Sequence, residues 1–195
     1  MTTLKSYLPQ PKNLYVWDGE RTSVAESFLI MELPGGERRT VGSYLHGYCQ
    51  LMALALSKVT GLPLGVLIQN DAFLDEDGNP MDALGHAYCI VEREGQDPLV
   101  LDARGYREHS QMLAEYGDEF DFSEAHGKQA ADFLKDWMGA NLLKGFDPGE
   151  EEALVAYGLR LKELGVLHAE PLSEEAVERV ESFEQPWRSW QSPVF

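Results

Sequence analysis

Gly47-Tyr48-Cys49-Gln50-Leu51-Met52-Ala53-Leu54-Ala55-Leu56-Ser57-Lys58-Val59-Thr60-Gly61 is the stretch on which the reading of this chain turns. From Cys49 to Thr60 it contains no Pro or Gly and is long enough for about three helical turns. It ends at Gly61, a residue suited to the left-handed position that closes a helix. The spacing therefore predicts a helix over 49–60 with Cys49 at its first turn. Because the run is apolar nearly all the way round, that helix should be buried. At a helix start, unpaired backbone N–H groups and the positive end of the macrodipole favour a thiolate and can hold a developing oxyanion.

Two further elements carry groups suited to work with such a thiol. His86-Ala87-Tyr88-Cys89-Ile90-Val91-Glu92 alternates as a strand does, so His86 shares a face with Tyr88 and Ile90. Cys89 points the other way with Ala87 and Val91. A turn signal at Glu94-Gly95-Gln96-Asp97-Pro98 leads to Leu99-Val100-Leu101, which predicts an antiparallel hairpin. Asp102, at the far end of the second strand, then returns to the neighbourhood of His86. A carboxylate there orients one ring nitrogen of His86 and leaves the other for Cys49.

Gly-x-Cys at a helix start, His-Ala and an aromatic on the next long strand, and Leu-Asp closing the hairpin resemble the transglutaminase-like branch of the papain-like cysteine enzymes. The resemblance covers roughly residues 40 to 107. It implies an α+β fold with a buried helix against an antiparallel sheet. It also implies Cys49 as nucleophile, His86 as general base and acid, and Asp102 as its orienter. Many members place a Gln or Trp upstream of the cysteine to assist the oxyanion. Here that stretch reads Gly42-Ser43-Tyr44-Leu45-His46, which leaves Tyr44, His46 and Trp17 as candidates for the role.

At 195 residues with 44% hydrophobic content, the chain can bury one sizeable core without disulfides. A single domain over 1–195 is expected, with its core at about 13–107 and a helical C-terminal portion at about 107–195. Only two cysteines occur, and a nucleophilic Cys49 excludes a structural bridge to Cys89, which fits a reducing compartment. Residues 1–9 lack the apolar stretch of a signal peptide, and no run approaches membrane-spanning length. Cytoplasmic synthesis is expected, and a secreted effector with a non-classical export signal is equally compatible.

The net charge of −17 is uneven. Residues 1–110 carry nine Lys and Arg against fifteen Asp and Glu, while residues 111–195 carry seven against eighteen. Direct nucleic-acid binding is excluded as an expectation, because counterion release needs a basic footprint. An acidic surface instead suits a basic protein partner or simple solubility.

Before Cys49, Asn13–Trp17 and Ser27–Glu32 are strand candidates, and Pro34-Gly35-Gly36 is a turn ahead of Arg38–Val41. Leu62–Ile68 reads as a strand entering a solvated loop, Asn70 to Leu84, placed to serve as a substrate lid. Asp71, Asp75, Asp77 and Asp82 in that loop fail the EF-hand spacing. The sixth position from Asp75 is Pro80 rather than Gly, and the twelfth is His86 rather than Glu. Arg107–Tyr116, Lys128–Met138, Glu150–Leu164 and Ser173–Phe183 are helix candidates. The acids Glu150, Glu151 and Glu152 suit a first helical turn. His109, His126 and His168 show no ligand spacing, so no metal or cofactor is expected. The aromatic-rich end, Gln185–Phe195, is expected to pack back on the domain.

The functional expectation is a thiol-dependent acyl-transfer enzyme of the protease, deamidase, amidase or transglutaminase type, acting on a protein or peptide. The alternative is a catalytically silent acidic binding protein or inhibitor directed at a basic protein partner.

Overall fold

A computed structural model of the chain describes residues 3–17, 21–117 and 121–167. Its strands are β1 (Lys5–Ser6), β2 (Leu14–Trp17), β3 (Arg21–Val24), β4 (Leu29–Glu32), β5 (Arg38–Thr40), β6 (Leu64–Leu74), β7 (Pro80–Val91), β8 (Leu99–Asp102), β9 (Gly105–Glu108) and β10 (Phe122–His126). Its α-helices are α1 (Ser43–His46), α2 (Cys49–Thr60), α3 (His109–Ala114), α4 (Lys128–Gly139) and α5 (Glu150–Glu163). The fold is α+β. A five-stranded antiparallel sheet in the order β10-β6-β7-β8-β9 is accompanied by a three-stranded sheet, β1-β4-β5, and a two-stranded one, β2-β3.

Helix α2 spans the residues its sequence predicts and ends where Gly61 takes φ +75°, its N–H donating to Ser57 O at 2.8 Å. One side of the helix packs on β7 and β8 and another on α5. The approach to α5 is close. A Cβ added at Gly158 would stand 3.2 Å from Val59 Cγ2 and 3.3 Å from Leu56 Cδ2. Leu51, Met52 and Leu56 are consequently buried from both sides, each removing apolar surface that stabilises the fold by roughly 1.5–3 kcal/mol.

Three expectations are corrected. The segment Asn70 to Leu84 is a β-hairpin arm rather than a loop, because β6 and β7 run on past Gln69 with Phe73 facing Met81 and Leu74 facing Pro80. Its tip is closed by Asp75, whose Oδ1 accepts the N–H groups of Asp77 at 2.9 Å and Asn79 at 2.8 Å. The helix placed at Arg107–Tyr116 is shorter, since residues 105–108 form β9 and only His109–Ala114 are helical. Gly105, at φ +125°, lets the chain reverse after Asp102, and a Cβ there would meet Thr22 O at 2.9 Å. The portion after residue 107 is not purely helical, because β10 adds an edge strand to the sheet beside β6.

The acidic run falls in the first turn of α5, as its sequence suits, and its first member has a further role. Glu150 is fully buried and forms an ion pair with Arg39 Nη1, accepts the Tyr44 hydroxyl at 2.7 Å, and accepts the Asp147 N–H at 2.8 Å. It ties α5 to β5 and α1. Only its neighbours Glu151 and Glu152 are accessible. The expected helix at Ser173–Phe183, the aromatic end and His168 lie outside the described residues, as does the side chain of Trp17. Among the described residues no helix is long and apolar enough to cross a membrane.

Candidate active site

Cys49 is the first residue of α2, following Tyr48. The N–H groups of Leu51 and Met52 bond back to Tyr48 O, whereas those of Cys49 and Gln50 find no acceptor among the described residues. This is the open end of a helix, with amide donors beside a thiol. His86 lies in β7 opposite Leu67 of β6, and the register of β7 with β8 pairs Cys89 with Leu101 and Ile90 with Val100. By alternation, the His86 face of β7 is also the Asp102 face of β8. Cys89 is on the opposite face, where its Sγ donates to Ala53 O at 3.4 Å. Burial pushes that thiol up to about 12.

The three residues converge in an enclosed cluster. Cys49 is 5% exposed, and His86 and Asp102 are each 2% exposed. His86 Nε2 faces Asp102 Oδ2 at 3.6 Å, just beyond normal hydrogen-bond length. Burial is the largest influence on the imidazole and pulls its pKa down, but the interactions with Asp102 and Cys49 outweigh it and lift the value to about 9. For Asp102, burial alone would raise the pKa. Interaction with His86 and the charges of Arg107 and Arg104 overcome that and hold the carboxyl well below its ordinary range.

The sequence reading did not include the arginines. Arg104 Nη2 reaches Asp102 Oδ2 at 3.0 Å, its backbone N–H donates to Oδ1 at 2.9 Å, and Arg107 Nε lies 3.7 Å from Oδ2. Arg104 also bonds Glu26 and Glu115. Tyr116 flanks the imidazole with ring centroids 6.2 Å apart, and its hydroxyl donates to Gly85 O at 3.5 Å. The Asp-Ala-Arg-Gly turn carried a signal for Arg104 in the sequence. Arg107 carries no such signal, because its position beside Asp102 depends on residues 105–108 pairing as a strand with β8.

The oxyanion candidates fare unequally. Tyr44 is directed away, into its bond with Glu150, and is corrected as a contributor. His46 is largely exposed, 4.0 Å from Glu26 Oε2. Gln50 is buried with its amide donating to Lys144 O at 3.0 Å and its Oε1 4.0 Å from Cys49 Sγ. The unpaired amides of Cys49 and Gln50 are therefore the donors the structure provides near the thiol.

Comparison with known proteins finds no matching family model, no matching curated protein and no matching solved structure.

Proposed function

We propose that this chain is a thiol-dependent acyl-transfer enzyme with a papain-like, transglutaminase-like core, in which Cys49 is the nucleophile, His86 its base and acid, and Asp102 the orienter. The supporting observation is the meeting of these three side chains from a helix start and two adjacent strands, with His86 lifted to about 9 by the other two. In the proposed cycle Sγ bonds to a carboxamide or peptide carbonyl carbon as its proton passes to His86. The protonated imidazole then gives that proton to the departing nitrogen, leaving a thioester. Water or an amine then attacks the thioester carbon and gives up a proton to His86, which passes that proton to Sγ as the C–S bond breaks. The amides at the start of α2 stabilise the carbonyl oxygen while it carries charge. A protein or peptide is the expected acyl donor.

A second reading is supported by the closure of the cluster and the capture of Asp102 by Arg104. In it the same core is a silent scaffold that binds a partner. Incubating the protein with glutamine-containing peptides, and reading ammonia release and peptide cleavage, separates the two. Turnover abolished by Cys49→Ala supports the enzyme. A folded protein that gives neither product and whose Cys49 resists a thiol-directed electrophile supports the scaffold.

A further inference from the structure

Beside Tyr88 stands a second group of titratable side chains that the proposed reaction does not use. His109 opens α3, held in place by its N–H donating to Pro98 O at 2.9 Å. Glu124 and His126 are two residues apart on β10 and so share a face. His109 Nε2 lies 2.9 Å from Glu124 Oε1, and His126 Nε2 lies 3.7 Å from Glu124 Oε2. One ligand atom from each of the three lies within 4.8 Å of the others.

From this convergence we infer a binding site for a divalent transition-metal ion of the zinc class, with His109, Glu124 and His126 as its protein ligands. Both imidazoles turn Nε2 toward a single carboxylate, and two imidazoles with one carboxylate form a donor set that such ions favour. The size also fits. Ligand atoms about 2 Å from a tetrahedral ion stand about 3.3 Å from one another, and one ligand atom from each residue already lies within 4.8 Å of the others. His109 Nε2 is within hydrogen-bond distance of one oxygen of Glu124, while His126 Nε2 stands between the other oxygen and the Tyr88 hydroxyl. The side chains are 14%, 27% and 37% exposed, so an ion has a path from solvent.

The surroundings reinforce the assignment. Tyr88 Oη lies 3.4 Å from His126 Nε2. Its ring lies 6.0 Å from that of His86 and 6.2 Å from that of His109. A bound ion thus pins the start of α3 to β10 around the ring that packs against His86. The site does not depend on the acyl-transfer reading, since it shares no ligand with Cys49.

The test uses the full chain, stripped by chelator and dialysed, titrated with Co²⁺ alone and then with Zn²⁺ alone. One ion per chain is expected, with cobalt d–d absorption, no thiolate-to-cobalt charge-transfer band, and a Tm that rises with Zn²⁺. His109→Ala, His126→Ala and Glu124→Gln should each weaken binding at least tenfold. Glu124→Gln preserves side-chain shape and decides the matter if either histidine variant fails to fold. A thiolate band, no ion bound at micromolar concentration, or a folded Glu124→Gln protein with unchanged affinity would overturn the assignment.

Discussion

His86 Nε2 and Arg104 Nη2 approach the same oxygen, Asp102 Oδ2, at 3.6 Å and 3.0 Å. Arg107 Nε stands 3.7 Å from that oxygen too, so one buried carboxylate serves three cationic groups, and the Arg104 guanidinium holds the shortest contact. Arg104 is itself anchored to Glu26 and Glu115, so its charge is shared rather than spent on Asp102 alone. The imidazole keeps enough of the carboxylate's field, together with that of Cys49, to hold its proton more tightly than a free histidine despite burial.

This arrangement makes stability depend on pH in a defined window. The His86 pKa is raised in the folded protein, from 6.5 to about 9. Its contribution is thus fully present below pH 6.5 and is lost as pH rises through about 9. A shift of that size corresponds to on the order of 3 kcal/mol. Asp102 acts in the opposite direction, because its folded pKa is depressed, and its contribution disappears as pH falls below 3.8. Urea-denaturation midpoints measured from pH 6 to 9.5 should decline across that range in the parent protein. His86→Ala should decline much less, and parallel slopes would rule out the linkage.

Cys49 should react with iodoacetamide in the folded protein at least tenfold faster than Cys89. Cys89 is fully buried, donates to Ala53 O and has its pKa pushed up to about 12, whereas Cys49 stands at a helix start. Peptide mapping after timed quenching gives the two rates. His86→Ala should slow Cys49 labelling at neutral pH. Asp102→Ala removes the counter-ion of Arg104 as well, so its effect must be compared with Asp102→Asn in proteins shown to be folded. Labelling of Cys89 ahead of Cys49 would count decisively against the nucleophile.

What was legible in the sequence followed from strong local patterns. The uninterrupted apolar run at Cys49–Thr60 with Gly61 behind it could form little but a buried helix, and alternation at His86–Val91 placed Cys89 on the face away from His86. The hairpin arm escaped because Asn70–Leu74 and Pro80–Leu84 extend into solvent. There, tertiary burial no longer imposes an apolar alternation, and Asp71 sits at φ +50° where the register shifts. Strand β10 is a short edge strand carrying Glu124 and His126, whose polar pattern resembles a turn. Missing that strand concealed the grouping with His109, because two residues of separation mean a shared face only once the chain is extended. Glu150 looked like an ordinary helix-start acid. Its partner, Arg39, is more than a hundred residues away, and no local rule connects them.

Gly65 offers a test of how tightly the Tyr88 ring is held. It pairs with Tyr88 across β6 and β7, and a Cβ at residue 65 would fall 2.3 Å from Tyr88 Cε2. The obstacle is the flat of a buried ring, not the end of a flexible chain. Gly65→Ala should therefore cost about 1–3 kcal/mol through overpacking and should alter the near-ultraviolet circular dichroism as the ring moves. The same displacement should disturb His86, whose ring centroid lies 6.0 Å away. A variant with parental stability and an unchanged spectrum would mean the ring has room that the geometry denies.

The three adjacent acids at the start of α5 should respond very differently to substitution. Glu150 is enclosed with Arg39, and Arg39 also bonds Glu37 and Asp147. Removing one member of a buried pair leaves a charge without its partner, so Glu150→Ala should cost roughly 3–5 kcal/mol, or a Tm lower by about 10 °C for a chain of this size. Glu151 meets Lys58 at 3.0 Å in an exposed pair, and such pairs contribute about 0–1 kcal/mol. Neutralising Glu151 and Glu152 together, while Glu150 is left intact, should consequently leave Tm within about 2 °C. That double variant is also the proper probe for a basic partner, since it removes accessible charge without breaking the link between α5 and β5. Calorimetry supplies both comparisons. A Glu150→Ala protein as stable as the parent would show that the Arg39 pair does not hold α5 in place. A partner bound equally well by the double variant would confine these acids to solubility and helix initiation.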